Sequence, residues 1–202
     1  MVKIYKENEI KDLSNILKNN GVISSPTDTV YGLCANIDSR VAYNKLIDIK
    51  GRPKSKAFPI MCSNIDQIKQ IALVDEKNEL FINKLMPGPI TIILHKKENL
   101  PDYITNNQDT IAIRMAPTST LKNLIEKVDN PLFMTSANKS GESPCNNIEE
   151  IEKNFPNIDG IIDGKISFSK PSTIVDLTDN DIKIIREGPI TIEDIYNKIG
   201  RK

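Results

Sequence analysis

The sequence has little of the chemistry from which metal centres and covalent catalytic sites are usually built. Its 202 residues include one histidine and three cysteines, Cys34, Cys62 and Cys145, which lie far apart without a C-x-x-C pair. A single histidine disfavours a His-based metal centre, and three scattered thiols fit a reduced protein better than disulfides or zinc. Phosphate-loop, dinucleotide-fold and nucleophile-elbow motifs are absent as well. We therefore expect no metal bound by protein side chains and no covalent nucleophile.

Long apolar runs and an excess of one charge are also missing. No segment is long and apolar enough to span a bilayer, and residues 1–7 contain no apolar signal core. These absences predict a cytoplasmic protein that has no membrane contact. The 27 basic and 27 acidic residues give a formal net charge of zero. That balance argues against bulk adhesion to nucleic acid but permits a local basic cleft.

Apolar periodicity and turn residues predict a chain in which strands alternate with helices. Helical spacing predicts helices over 7–20, 39–51, 65–71, 76–85, 120–128, 149–155 and 192–199. β-branched and other short apolar runs are typical of strands and predict them at 22–23, 57–62, 90–94, 110–114, 132–134, 160–162, 173–177 and 182–185. Crossover and hairpin spacings together predict a single α/β domain over residues 1–202, with a twisted mixed parallel and antiparallel sheet flanked by helices.

Two polar stretches carry more hydrogen-bonding chemistry than packing requires. Lys50-Gly51-Arg52-Pro53 presents two cations where a helix ends, and Ser136-Ala137-Asn138 follows a short apolar strand. The planar guanidinium of Arg52 suits bidentate contact with phosphate, and Gly51 allows the backbone to approach a ligand closely. A solvated helix end and a polar turn would also explain these stretches. Composition alone leaves both interpretations open.

Single polar residues at the ends of other strands add to this pattern. Thr29 belongs to a run of hydroxyls beside Pro26, and Arg114 directly follows an apolar strand. Ser172 opens another strand and Arg186 closes one. Each residue taken alone has an adequate structural explanation, but small donors at strand ends are also how α/β sheets build ligand crevices.

Taken in order, these stretches resemble the YrdC-type threonylcarbamoyl-AMP synthases in their short, single-domain form. The K-x-R and S-x-N pair is the signature of that family, and the resemblance covers nearly the whole chain. Seven motifs carry it: Pro26-Thr27-Asp28-Thr29-Val30-Tyr31-Gly32-Leu33, Lys50-Gly51-Arg52-Pro53, Pro87-Gly88-Pro89, Thr110-Ile111-Ala112-Ile113-Arg114, Ser136-Ala137-Asn138-Lys139-Ser140-Gly141, Ser172-Thr173-Ile174-Val175-Asp176 and Arg186-Glu187-Gly188-Pro189. The resemblance implies a twisted α/β sheet with a basic concave cleft.

The resemblance also implies a reaction. A nucleotidyltransferase of this kind converts L-threonine, bicarbonate and ATP into threonylcarbamoyl-AMP and pyrophosphate. A threonylcarbamoyl transferase complex then acts on the tRNA adenosine next to the anticodon. Mg²⁺ would enter with ATP, held by phosphates and water rather than by a protein carboxylate. Such chemistry depends on positioning and charge neutralisation more than on a protein nucleophile.

By motif position, the resemblance implies roles for individual residues. Threonine would be bound by Thr29, Arg114, Ser136 and Ser172. ATP would be bound by Lys50, Arg52, Lys56, Thr110, Ser136, Asn138, Asn146 and Arg186. Lys50 and Arg52 would act in catalysis by offsetting phosphate charge. Two positions depart from the pattern, because some relatives have histidine at Met61 and relatives often have serine or threonine near Asn146.

Two other functions remain open. The first is a non-catalytic RNA-binding module that uses the same basic cleft, although zero net charge and only 5% aromatic residues disfavour it. The second is a carbamoyl-transfer domain of hydrogenase maturation, which would need flanking zinc-finger segments for which this chain lacks the cysteines. A weak RNA contact also remains open for a synthase, since its product is consumed on tRNA.

Overall fold

The computed structural model describes residues 1–53, 55–168, 170–179 and 181–200. The helices within these ranges are α1 (Ile10–Lys18), α2 (Arg40–Lys50), α3 (Ile65–Ile71), α4 (Glu76–Leu85), α5 (Asp102–Thr105), α6 (Ser119–Val128), α7 (Ile148–Asn154) and α8 (Ile192–Ile199). The strands are β1 (Ile4–Tyr5), β2 (Ile23–Pro26), β3 (Tyr31–Asn36), β4 (Ile60–Cys62), β5 (Ile90–His95), β6 (Thr110–Met115), β7 (Leu132–Ser136), β8 (Gly160–Ile162), β9 (Thr173–Asp176) and β10 (Lys183–Arg186). Within the described ranges, no helix is both long and apolar enough to cross a membrane.

These strands form one mixed sheet in the order β1-β8-β2-β3-β7-β4-β6-β5-β9-β10. The parallel pairs are β1 with β8, β2 with β8, β4 with β6, and β5 with β9. The remaining neighbours are antiparallel. The predicted α/β fold with a mixed sheet flanked by helices is confirmed. That the whole of 1–202 forms this one domain stays a prediction.

Several predicted boundaries differ from those of the structure for local reasons. The strand expected at 57–62 begins at Ile60, since Pro59 has no N–H to donate to a ladder. The run after Pro26 is a turn followed by β3, so that β2 and β3 form an antiparallel hairpin. β1 and α5 were not predicted, because two and four residues are too few to show a period.

The two faces of the sheet are covered differently. Helices α1 and α6 pack against each other over one face, where Leu13, Leu17 and Leu124 are fully buried. The larger apolar cluster lies on the opposite face and includes Leu46 of α2 and Phe81 of α4. Side chains of paired residues on neighbouring strands point to the same face, so register shows which residues share the α1–α6 face.

The α1–α6 face is open over β6, β5 and β9. Met61, which packs in the α1–α6 cluster, pairs with Arg114, and Thr91 pairs with Ile174. Arg114, Thr91 and Ile174 border a cavity rather than an apolar helix. The partial covering of this face therefore creates a cleft at the ends of several strands.

We expect Leu124→Ala to destabilise the fold, because Leu124 fills the fully buried contact of α6 with α1 and the sheet. The free energy of unfolding should fall by about 2–5 kcal/mol, measured by urea denaturation. Leu80→Ala is the control, since Leu80 is 50% exposed on α4, and should change that free energy by less than about 1 kcal/mol. Equal effects of the two changes would contradict the assigned packing.

Candidate active site

A cavity of about 210 Å³, here termed the first cavity, opens over the uncovered part of the sheet. Three guanidinium groups line it, those of Arg52, Arg114 and Arg186, and no carboxylate belongs to its wall within the described part of the chain. It brings together all four residues for which threonine binding was predicted, Thr29, Arg114, Ser136 and Ser172. The cavity therefore combines positive charge with hydroxyl groups, which suits an anionic, polar ligand.

Arg114, at the end of β6, is the most buried of the three arginines. Its Nε and Nη2 donate to the Gly88 carbonyl oxygen at 3.0 and 2.9 Å, and its Nη1 donates to Thr29 Oγ1 at 3.0 Å. Nη2 also pairs with the Asp28 carboxylate. Burial lowers the pKa of Arg114, and the Asp28 carboxylate opposes that shift. Protein acceptors thus take four of the five N–H groups, and one on Nη1 remains.

The turn between β2 and β3 positions Thr29. Thr27 Oγ1 accepts hydrogen bonds from the backbone N–H of Thr29 at 3.1 Å and of Val30 at 3.2 Å. The hydroxyls of Thr27 and Thr29 lie 2.9 Å apart. A buried hydroxyl network therefore orders this turn and fixes the Thr29 hydroxyl next to Arg114.

Ser172 and Arg186 form the opposite wall of the first cavity. The hydroxyls of Ser172 and Thr91 lie 2.8 Å apart. Arg186 donates from Nε and Nη2 to the Ser172 carbonyl oxygen at 3.1 and 2.8 Å. Burial lowers the pKa of Arg186, and the positive charge of Arg114 lowers it further. The two guanidinium groups thus act on the same space and favour an anion there.

Gly188 allows this wall to form. A Cβ atom at Gly188 would lie 2.3 Å from the backbone nitrogen of Thr173 and 2.5 Å from the carbonyl oxygen of Pro171. The Gly188 N–H donates to Thr173 Oγ1 at 2.9 Å. Only glycine permits the segment after β10 to approach the start of β9 so closely, and this approach sets the position of Ser172.

Arg52 occupies the junction of three cavities. It follows Gly51, which ends α2 with a φ of +61° and turns the chain. Its Nε donates to the Lys56 carbonyl oxygen at 2.9 Å, its Nη2 donates to that of Ala57 at 2.7 Å, and its guanidinium lies 4.8 Å from the centre of the Phe58 ring. Nη1 and the second N–H of Nη2 have no hydrogen-bond partner among the described residues, so three N–H groups stay available to a ligand.

The second and third cavities adjoin the first at Arg52. The second, of about 270 Å³, contains the predicted ATP-binding residues Lys56 and Thr110. The third, of about 360 Å³, is lined by Lys50, Lys56, Ser136 and Asn138 among others. Asn146 is exposed before α7, where its N–H donates to Glu150 at 2.8 Å, and its side chain lines none of the three cavities.

Lys50 lies almost wholly inside the protein, with 2% of its surface exposed. Its Nζ donates to the carbonyl oxygens of Ser136 at 2.6 Å and Asn138 at 3.0 Å, and to Asn138 Oδ1 at 2.9 Å. Burial, reinforced by the positive charge of Arg52, lowers the pKa of Lys50 to about 8. The K-x-R and S-x-N stretches therefore meet directly in the structure.

Three groups that form the site were not predicted from the sequence. The Asp28 carboxylate and the Gly88 carbonyl bind Arg114, and the Thr91 hydroxyl lines the first cavity. The first two belong to recognised motifs, but they lie 86 and 26 positions from Arg114, and no local pattern indicates that contact. Thr91 gave a weak signal, since it is the one hydroxyl-bearing residue of the apolar strand Ile90–His95.

The described residues also bear on metal binding. No group of three or more histidine, cysteine, aspartate or glutamate side chains among them could hold a metal ion. Asp28, which adjoins Thr29 in the turn between β2 and β3, is paired with Arg114.

The fold and the three adjoining cavities define an α/β protein whose cleft is lined by arginine, lysine and hydroxyl groups. Residues 15–188 match the sequence profile of the Sua5–YciO–YrdC family, whose description reads "Telomere recombination". The chain belongs to this family.

Relatives that align with nearly all of this chain support the same grouping. A protein from Methanocaldococcus jannaschii is 36% identical over 203 residues, which cover 96% of each chain. The threonylcarbamoyl-AMP synthase of Pyrococcus abyssi is 32% identical over 198 residues, covering 96% of this chain and 58% of that protein. The crystal structure of Pyrococcus abyssi Sua5 complexed with L-threonine is similar with a TM-score of 0.92 and 29% identity, covering 100% of this chain and 61% of that chain. This chain thus spans less than two thirds of the Pyrococcus protein.

We expect Arg114→Ala to cost about 3–5 kcal/mol in the free energy of unfolding, because it leaves the Asp28 carboxylate without its cation in a largely buried place. Urea denaturation measures this change. Lys122→Ala is the control, since it removes a cation from the exposed pair with Glu126 and should cost less than about 1 kcal/mol. An equally small effect for both changes would contradict the structural role of Arg114.

Proposed function

We propose that the protein is a threonylcarbamoyl-AMP synthase. It would be a nucleotidyltransferase that combines L-threonine, bicarbonate and ATP and releases threonylcarbamoyl-AMP, pyrophosphate and water. The observation that carries this proposal is the position of Arg52 at the junction of three cavities, one of which contains every predicted threonine-binding residue. Membership of the family and the names of its relatives support the same function.

The amino acid would occupy the first cavity. Its carboxylate suits the remaining N–H of Arg114 Nη1, which lies beside the Thr29 hydroxyl. The hydroxyls of Ser172 and Thr91 lie on the opposite wall and suit the hydroxyl of threonine. Since Arg114 is fixed by Asp28, Thr29 and Gly88, this site requires little rearrangement to bind its ligand.

The phosphates would lie near Arg52 and Arg186. In both guanidinium groups Nε and Nη2 bind backbone carbonyls, whereas Nη1 has no hydrogen-bond partner within the described ranges. Each group can therefore donate at least two hydrogen bonds to phosphate oxygens from a fixed position. Lys56, Thr110, Asn138 and Asn146 complete the proposed ATP-binding set, of which the first three line the adjoining cavities.

The reaction then requires alignment rather than a protein nucleophile. The neutral amino group of threonine first forms a bond to the carbon of bicarbonate, and a hydroxyl group leaves with an amine proton as water to give N-carboxythreonine. A carbamate oxygen of N-carboxythreonine then forms a bond to the α-phosphorus of ATP, and the bond from that phosphorus to the bridging oxygen breaks. Pyrophosphate leaves with the bonding electrons. Arg52 and Arg186 would offset the charge that develops on the phosphate oxygens, and their carbonyl contacts hold them in place beforehand.

Mg²⁺ would enter as part of the Mg–ATP substrate. The pairing of Asp28 with Arg114 leaves that carboxylate unsuited to metal binding, and ATP supplies oxygen ligands itself. We further propose that the protein acts in the cytoplasm, and that a threonylcarbamoyl transferase complex acting on tRNA receives its product. Contact of this chain with RNA would be weak, since its net charge is zero.

The test is an incubation of the pure protein with Mg–ATP, bicarbonate and L-threonine. We expect mass spectrometry to detect threonylcarbamoyl-AMP and a coupled assay to detect an equal amount of pyrophosphate. Omission of threonine should abolish both signals. Salt-sensitive RNA binding without ATP affinity or adenylate formation would instead support the non-catalytic RNA-binding module.

Arg52→Ala should lower kcat/KM for ATP by about 100-fold or more, because it removes the charged donors shared by the three cavities. Initial rates of pyrophosphate release measure this effect, and circular dichroism checks that the variant is folded. Lys122→Ala removes an exposed cation outside the cavities and should leave the rate unchanged. Wild-type kinetics in folded Arg52→Ala would refute the phosphate-binding role.

A further inference from the structure

The hydrogen bonds of Lys50 use the full capacity of its side chain. An ammonium group has three N–H donors. In this protein they reach the carbonyl oxygens of Ser136 and Asn138 and the side-chain Oδ1 of Asn138, at 2.6, 3.0 and 2.9 Å. No N–H of the charged side chain is left for a phosphate, and to bind one Lys50 would have to abandon buried acceptors.

The orientation of the Asn138 amide follows from its neighbours. Its Nδ2 donates at 2.8 Å to the carbonyl oxygens of Lys139 and Glu142, and its Oδ1 accepts from Lys50 and Ser136. The opposite orientation would place the amide nitrogen against the Lys50 ammonium and the amide oxygen against two carbonyl oxygens. The contacts with Lys50, Lys139 and Glu142 therefore fix which end of the amide faces Ser136.

The hydroxyl of Ser136 is oriented in turn. Its Oγ lies 2.5 Å from Asn138 Oδ1, and because that oxygen can only accept, the serine must donate its single hydrogen. Ser136 also lines the first cavity, as Arg114 does. Toward this cavity Ser136 Oγ can thus offer lone pairs only, which repel carboxylate and phosphate oxygens and attract an N–H group.

Backbone contacts hold the network from the other side. Lys139 Nζ donates to the Ile49 carbonyl oxygen at 2.5 Å, and the Ser140 N–H donates to that of Lys50 at 3.1 Å. The last carbonyls of α2 are thereby bound to the segment that follows β7. This docking holds the Lys50 ammonium beneath Asn138.

We propose that Lys50 is a positioning residue that acts through Asn138 on Ser136, and that Ser136 Oγ accepts a hydrogen bond from the nitrogen of the amino-acid substrate. This inference rests on the proposed function, because it assigns a role within the threonine site. It differs from the role that the motif implied, in which Lys50 lies next to the triphosphate. Arg52, two positions along the chain, would bind phosphate without its help.

The first experiment compares two ligands in Lys50→Met and in wild type. Isothermal titration calorimetry gives the dissociation constant of L-threonine without nucleotide, and separately that of Mg–ATP. We expect Lys50→Met to raise the dissociation constant of L-threonine about tenfold or more. It should change the dissociation constant of Mg–ATP less than about twofold. A tenfold loss of ATP affinity with unchanged threonine affinity would overturn the proposal and restore Lys50 as a phosphate ligand.

A double-mutant cycle shows whether Lys50 acts through Ser136. If it does, the double variant Lys50→Met, Ser136→Ala should bind threonine no more weakly than Ser136→Ala alone. If the fold-losses in threonine affinity of the two single variants multiply in the double variant, the two residues act independently. That result would contradict the positioning role of Lys50. Lys122→Ala, which removes an exposed cation outside the cavities, is the control and should leave threonine affinity unchanged.

A third measurement needs only Ser136→Ala and decides the outcome if Lys50→Met does not fold. The inhibitor 3-hydroxybutyrate keeps the carboxylate and hydroxyl of threonine but has no amino group. Ser136→Ala should raise the threonine KM at least about tenfold and leave the inhibition constant of 3-hydroxybutyrate within about twofold. Equal losses for both compounds would overturn the nitrogen contact. Absence of adenylate synthesis in wild type would be a different result, which refutes the proposed function itself.

Discussion

The guanidinium of Arg114 joins three parts of the chain that are far apart in sequence. It binds Asp28 and Thr29 in the turn between β2 and β3, and the Gly88 carbonyl just before β5. Because the contact is largely buried, breaking it would leave a carboxylate and a carbonyl without partners. The shape of the first cavity depends on this interaction, since it brings the turn, β5 and β6 together on the open face of the sheet.

The sequence predicts the residue types of the site better than it predicts what each residue does. Lys50 and Arg52 form one cationic stretch in the sequence, yet Gly51 adopts a left-handed conformation between them and turns the chain. Lys50 therefore points into the protein toward Asn138, whereas Arg52 points into the cavities. Whether a polar group is free for a ligand depends on partners distant in sequence, and no local pattern contains that information. Asn146 illustrates the reverse, because its position in the motif implied a contact while its side chain lines none of the three cavities.

Prediction of the fold from the sequence was likewise limited by contacts between distant segments. The apolar run of Ile90–His95 has strong strand character, and its assignment from sequence agrees with the structure within one residue. The order of strands could not be predicted, because β5 pairs with β9 and β4 with β6 through contacts between distant segments. The position of the cleft could not be predicted from the residues for a related reason. It exists because α1 and α6 cover only part of a wide sheet, and that depends on how the helices and sheet assemble.

The shared position of Arg52 makes the three cavities thermodynamically dependent on one another. A ligand that takes the two N–H groups on Nη1 withdraws them from any ligand in the other two cavities. It also changes the charge that those ligands meet. Occupancy of one cavity therefore alters affinity in the others, and this coupling has the same magnitude in both directions. A single side chain at a junction would thus couple the binding of ligands in the three cavities.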